Sequence, residues 1–160
     1  MTRFALKHGY APHVGQGASV ESNIHVEDLA RAYIVLLHHM LKSSPAQTLE
    51  NPYYFCECTG DNEPSWYEVA SLIGESLHKA GKIEDPKPQE VHMNNYADLF
   101  GPFTDAVIGL NSRSRAVRLR ELGWEPREKD WKRSYVEDEL PEILKEEVGG
   151  FGGYQGTVAS

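Results

Sequence analysis

The run Tyr53-Tyr54-Phe55-Cys56-Glu57-Cys58 decides how the rest of the chain is read. It is apolar at successive rather than alternate positions, as a strand covered on both faces requires. Thr59 to Pro64 follows as a polar turn. Upstream, Asn23-Ile24-His25-Val26 is a second short, β-prone run. Between the two, Glu27 to Lys42 has the period of a helix. Leu29, Tyr33, Leu36, Leu37, Met40 and Leu41 recur at three- and four-residue steps and are expected to form one wide apolar face. Asp28 falls in the first turn, where a carboxylate meets the positive end of the helix dipole. Strand, helix and buried strand together predict a parallel sheet. A strand buried on both faces needs neighbours along its edges, and this chain offers few, so the sheet is expected to be one flank of a larger one.

Downstream, Ser65-Trp66-Tyr67-Glu68 has the spacing of a capping box. The helix it starts is expected to reach Ala80, with Val69, Leu72, Ile73 and Leu77 inward and Gly81 as its stop. Lys82 to Leu110 contains Pro86, Pro88 and Pro102, and is expected to be a long loop with short pieces of structure. Asn111 or Ser112 is placed to cap a basic helix from Arg113 to Leu122, closed by Gly123. Trp124, directly after that glycine, is expected in the core. A last, acidic helix is predicted over Tyr135 to Glu147, followed by a glycine-rich, mobile tail from Val148 to Ser160.

The 160 residues are 40% hydrophobic and 25% charged, ordinary values for a globular domain. A net charge of −8 disfavours nucleic acid and anionic lipid as partners. No apolar run approaches the roughly 20 residues that span a bilayer. Met1 to Gly9 lacks the apolar stretch of a secretory signal. A cytoplasmic protein with neither membrane nor nucleic-acid partners is therefore expected. Cys56 and Cys58 are the only cysteines. On a strand they would sit about 7 Å apart, too far for a relaxed disulfide. No metal site is expected, since the adjacent His38 and His39 would point about 100° apart on a helix.

Two segments carry a family resemblance. Gly15-Gln16-Gly17, continued by Ser22-Asn23-Ile24-His25-Val26-Glu27-Asp28-Leu29-Ala30-Arg31-Ala32-Tyr33, is similar to the glycine turn, short strand and valine–x–aspartate helix start of extended short-chain dehydrogenase/reductases. Asn111-Ser112-Arg113-Ser114-Arg115-Ala116, continued by Leu122-Gly123-Trp124-Glu125-Pro126, resembles the late capped helix of the same family. The resemblance spans residues 1–147 and looks closest to fungal, nucleoside-diphosphate-sugar epimerase-like members of the NAD-dependent epimerase/dehydratases. It implies an α/β fold: the C-terminal flank of a Rossmann-like parallel sheet plus a mostly helical substrate-side lobe. It also implies NAD(P) as the cofactor of the parent family and a small molecule as substrate.

The family's reactive motifs are missing. No third glycine stands at the step a dinucleotide turn needs, and none of the eight tyrosines has a lysine four residues on. Where sugar-nucleotide members carry an arginine before the short strand, this chain has Glu21. No catalytic or cofactor-binding residue is expected here, and this chain alone is not expected to bind NAD(P). Those residues are expected upstream of Met1.

Four residues remain as candidates for substrate contact. Asn23 and His25 lie at a strand end, where open parallel sheets bind ligands, or else tie a loop and hydrogen-bond backbone. Asn111 and Arg113 begin the late helix, where an anion is favoured, or else form a cap and a solvated basic face. The expected function is the substrate-side portion of an NAD(P)-dependent oxidoreductase or sugar-nucleotide epimerase-like protein, not catalytic alone. The alternative is a non-catalytic binding or oligomerisation module, with a homo-oligomer possible in either case.

Overall fold

The computed structural model describes residues 1–58, 63–147 and 150–153. In chain order its elements are helix α1 (Thr2–His8), strand β1 (Pro12–His13), helices α2 (Val26–Lys42), α3 (Pro45–Glu50) and α4 (Trp66–Lys79), and strand β2 (Gln89–Glu90). Two 3₁₀ turns, Met93–Asp98 and Gly101–Phe103, lead to helices α5 (Thr104–Ile108), α6 (Val117–Glu121) and α7 (Trp131–Ser134). A π-helical turn, Tyr135–Glu139, then runs into α8 (Leu140–Ile143). The fold is helix-rich, with one small parallel sheet.

That sheet is not where the sequence put it. Pro12 pairs with Gln89 and His13 with Glu90 in parallel register. The Gln89 N–H donates to Ala11 O at 2.9 Å, and the Val91 N–H to His13 O at 2.8 Å. Neither Asn23–Val26 nor Tyr53–Cys58 forms a strand. The two runs meet at a single backbone bond, from the Cys58 N–H to Asn23 O at 2.9 Å. Residues 53–56 make no backbone–backbone hydrogen bond to another described residue. Tyr53 is 77% exposed and Phe55 63%, with Tyr54 and Cys56 half-buried between them, so the expectation of burial on both faces is corrected. A strand needs a ladder partner, and none stands beside this run among the described residues. A full Rossmann-like sheet is not shown.

The chain divides into two compact units. Unit 1 is Met1–Glu21, Pro64–Ser112 and Tyr135–Ser160. Unit 2 is Ser22–Glu63 and Arg113–Ser134. Within unit 1, Ala5, Ala11, Ala70, Ile73 and Leu77 pack with Tyr135 and Leu140, while Phe4, Val91, Leu99 and Ile108 form a second cluster. Small residues set this spacing: a Cβ on Gly74 would stand 2.1 Å from Pro86 O. The Ser65–Glu68 capping box forms, and Ala80 ends α4. The glycine turn closes onto the same helix start. The Trp66 N–H donates to Ser19 O and the Tyr67 N–H to Gly17 O, both at 2.9 Å. In the stretch expected as tail, Phe151 O accepts from Lys7 Nζ at 2.9 Å, and a Cβ on Gly153 would meet Ala97 O at 2.2 Å. Residues 148–149 and 154–160 of that tail, and the turn at 59–62, lie outside the described residues.

In unit 2, α2 has two apolar faces rather than one. Ala32, Val35 and Leu36 pack with Ala116, Leu119 and Trp124. Val26, Tyr33, Ile34, Leu37, Met40 and Leu41 are each more than half exposed. At about 100° per residue those six fall within roughly 120° of one another. The late helix is shorter than expected. Neither Asn111 nor Ser112 caps it: α6 begins after Ala116 with no side-chain cap. The buried Glu57 carboxylate instead accepts from the Ala116 N–H at 3.2 Å. The acidic helix starts early, at Trp131, and is interrupted by the π turn ahead of Pro141, which has no N–H to give to the carbonyl four residues back.

Candidate functional site

The start of α2 is built by residues the sequence singled out. His25 is the N-cap: its Nδ1 accepts from the Glu27 N–H at 3.2 Å. Asn23 accepts from Cys58 twice, the N–H to its carbonyl oxygen at 2.9 Å and the thiol to the same atom at 3.3 Å. Burial pushes the Cys56 thiol up to about 11, the Asp28 charge adding to it. Burial raises the Cys58 thiol as well. Both are therefore thiols rather than nucleophilic thiolates at neutral pH.

Asp28 does more than offset a dipole. Its side chain is 1% exposed. It accepts from the Arg127 N–H at 2.9 Å and the Glu128 N–H at 3.2 Å, and it pairs with Arg31. Burial by itself would raise this carboxyl, but the two amides and the guanidinium outweigh it and hold it below the usual carboxylate range. Arg31 also reaches Glu128 at 2.7 Å. The Trp124 indole N–H donates to Asp28 O at 3.0 Å, which fixes the tryptophan in the core as expected. One carboxylate thus ties the first turn of α2 to the chain leaving α6.

The second cluster centres on Glu63, whose side chain is 4% exposed. Arg113 Nε donates to it at 2.6 Å, Arg115 at 2.7 Å and Ser22 Oγ at 2.7 Å. Arg115 and Ser22, helped by Arg113, overcome burial and hold this carboxyl down at about 2. Arg113 is more than half exposed, yet its guanidinium is already engaged. An incoming anion would compete with a carboxylate at near-ideal distance. Asn111, in unit 1, accepts from the Val20 N–H at 2.9 Å. Each of the four candidates therefore has a structural partner. Glu63 was missed because the sequence placed Arg113 and Arg115 in one helix, where residues two apart diverge, whereas the helix begins only at Val117 and both arginines reach the same acid.

The glycine turn at Gly15–Gly17 packs against the start of α4. The first amides of α4 are taken by Ser19 O, Gly17 O and the Ser65 hydroxyl, leaving none for a pyrophosphate beside the glycine turn. A Cβ on Gly17 would lie 2.9 Å from Tyr67 Cβ, so this glycine allows close packing on α4. Among the described residues no helix is long and apolar enough to cross a membrane.

Comparison with known proteins gives one distant relative to weigh. No family model matches the chain. No solved structure matches it either. A protein named oxidase ucsJ, from an Acremonium species, is 27% identical over 137 residues, covering 79% of this chain. The chain spans 38% of the length of that relative.

Proposed function

We propose that this chain is the substrate-side portion of an NAD(P)-dependent oxidoreductase, similar to the extended short-chain dehydrogenase/reductases and their sugar-nucleotide epimerases, and not catalytic alone. The observation that carries this proposal is the second apolar face of α2, with Tyr53 and Phe55 also exposed in the same unit. An apolar stripe of that size on one helix is what a neighbouring layer normally covers. Unit 2 also carries ten Lys and Arg against ten Asp and Glu, so nothing in its net charge opposes such a cover. The relative has more than half of its length outside the matched region, room for a dinucleotide-binding half, and is named an oxidase. On this proposal hydride chemistry belongs to the cofactor held by that other half, while this chain supplies one wall of the cleft and the substrate contacts.

Calorimetry of the 160-residue chain with NAD and with NADP tests the proposal. No heat of binding is expected up to millimolar nucleotide. Micromolar affinity would overturn it. The same exposed face favours a second function, a non-catalytic assembly module. Sedimentation separates the two: a well-defined oligomer at micromolar concentration, with the α2 face protected from an apolar dye, favours assembly.

A further inference from the structure

A cavity of about 320 Å³ lies wholly within unit 1. Val69 and Ile73 of α4, with Phe100 and the ring of Trp66, give it apolar walls. On its remaining side stand Tyr135 and Glu139, the first and last residues of the π turn. Single π turns recur at ligand sites, because they displace side chains from helical register. The Tyr135 hydroxyl accepts from Thr2 Oγ1 at 3.2 Å. Burial pushes that phenol up to about 12, with the Glu139 charge adding to it, so it stays neutral. The Glu139 carboxylate has no ion-pair or hydrogen-bond partner among the described residues. Arg3, also at the wall, is engaged by Glu146 at 2.6 and 2.7 Å. Charge points the same way: unit 1 has six Lys and Arg against fourteen Asp and Glu.

We propose that this cavity binds a small amine, its apolar body against Val69, Ile73 and Phe100 and its ammonium at Glu139 beside the aromatic rings of Trp66 and Tyr135. An unpaired carboxylate selects a cation over an anion, and aromatic rings favour the same charge. The volume suits one ring with a short substituent. Of the wall's two basic groups, Arg3 is engaged by Glu146, and burial holds the Met1 α-amino group down at about 6, so it is mostly uncharged at neutral pH. The site lies in unit 1 and does not rest on the function proposed above.

Titration of the full chain with benzylamine and with benzyl alcohol, followed by ¹⁵N–¹H correlation spectra, tests it. Benzylamine is expected to bind at least threefold tighter, shifting resonances of α4 and of residues 135–143. Glu139→Gln is expected to remove that preference while leaving benzyl alcohol binding unchanged. Ile73→Phe is expected to block both; if that variant does not fold, Val69→Phe replaces it. Equal affinity for the two probes, or an unchanged preference in Glu139→Gln, overturns the proposal. So does binding that survives filling the cavity.

Discussion

Replacing Asp28 by alanine takes the buried acceptor from the Arg127 and Glu128 amides and leaves the part-exposed Arg31 guanidinium with Glu128 alone. Each unmet donor costs about 1–3 kcal/mol, and breaking a buried pair costs about 3–5. The expected loss for Asp28→Ala is about 3 kcal/mol, read as a lower urea midpoint at unchanged slope. Glu63 is expected to show itself through pH. Its carboxyl is held at about 2 in the folded chain, against an ordinary value of 4.5. A depressed acid contributes stability that is complete above about pH 4.5 and disappears as pH falls toward 2. Thermal melts of Glu63→Gln from pH 6 down to 2 should therefore show a shallower acid limb than those of the parent. Sequence reasoning reached Asp28 through the dipole alone, because its three main partners lie about a hundred positions away or on the next helical turn. Asn23, His25, Asn111 and Arg113 were marked for a ligand, and the same donor and acceptor chemistry serves the backbone and Glu63 instead.

At the level of elements, α4 was legible almost to its ends because a local code specifies it: a capping box at Ser65, inward Val69, Leu72, Ile73 and Leu77, and a glycine beyond its end. Its packing was not legible, since Gly74 looks like a weak point in a helix until Pro86 is seen against it. Gly74→Ala would add about 1 kcal/mol by propensity alone. With Pro86 O 2.1 Å from the new methyl, overpacking wins, and chemical denaturation is expected to show a net loss of about 2 kcal/mol. The strands were misplaced for the converse reason. Tyr53–Cys58 has strand composition but no ladder partner among the described residues, whereas Pro12–His13 and Gln89–Glu90 have little strand composition and yet pair, with α4 packed on Pro12–His13.

Across the molecule, the two units differ in charge as well as packing: all of the net −8 belongs to unit 1, and unit 2 is balanced. The neutral unit carries the exposed α2 stripe. Leu37→Glu with Leu41→Glu is expected to lower the fluorescence of bound anilinonaphthalene sulfonate severalfold, while stability changes by less than about 0.5 kcal/mol per site. A large destabilisation would mean that these side chains are covered in solution. The run at 53–58 forms no strand, which matters beyond docking. Three consecutive aromatics, one charge and no proline form the kind of hexapeptide that stacks into cross-β fibrils when no native neighbour occupies its edge. Made alone in a cell, this polypeptide would depend on chaperones to shield that hexapeptide. Its solubility would then report, more sensitively than its melting temperature, whether the cover is in place.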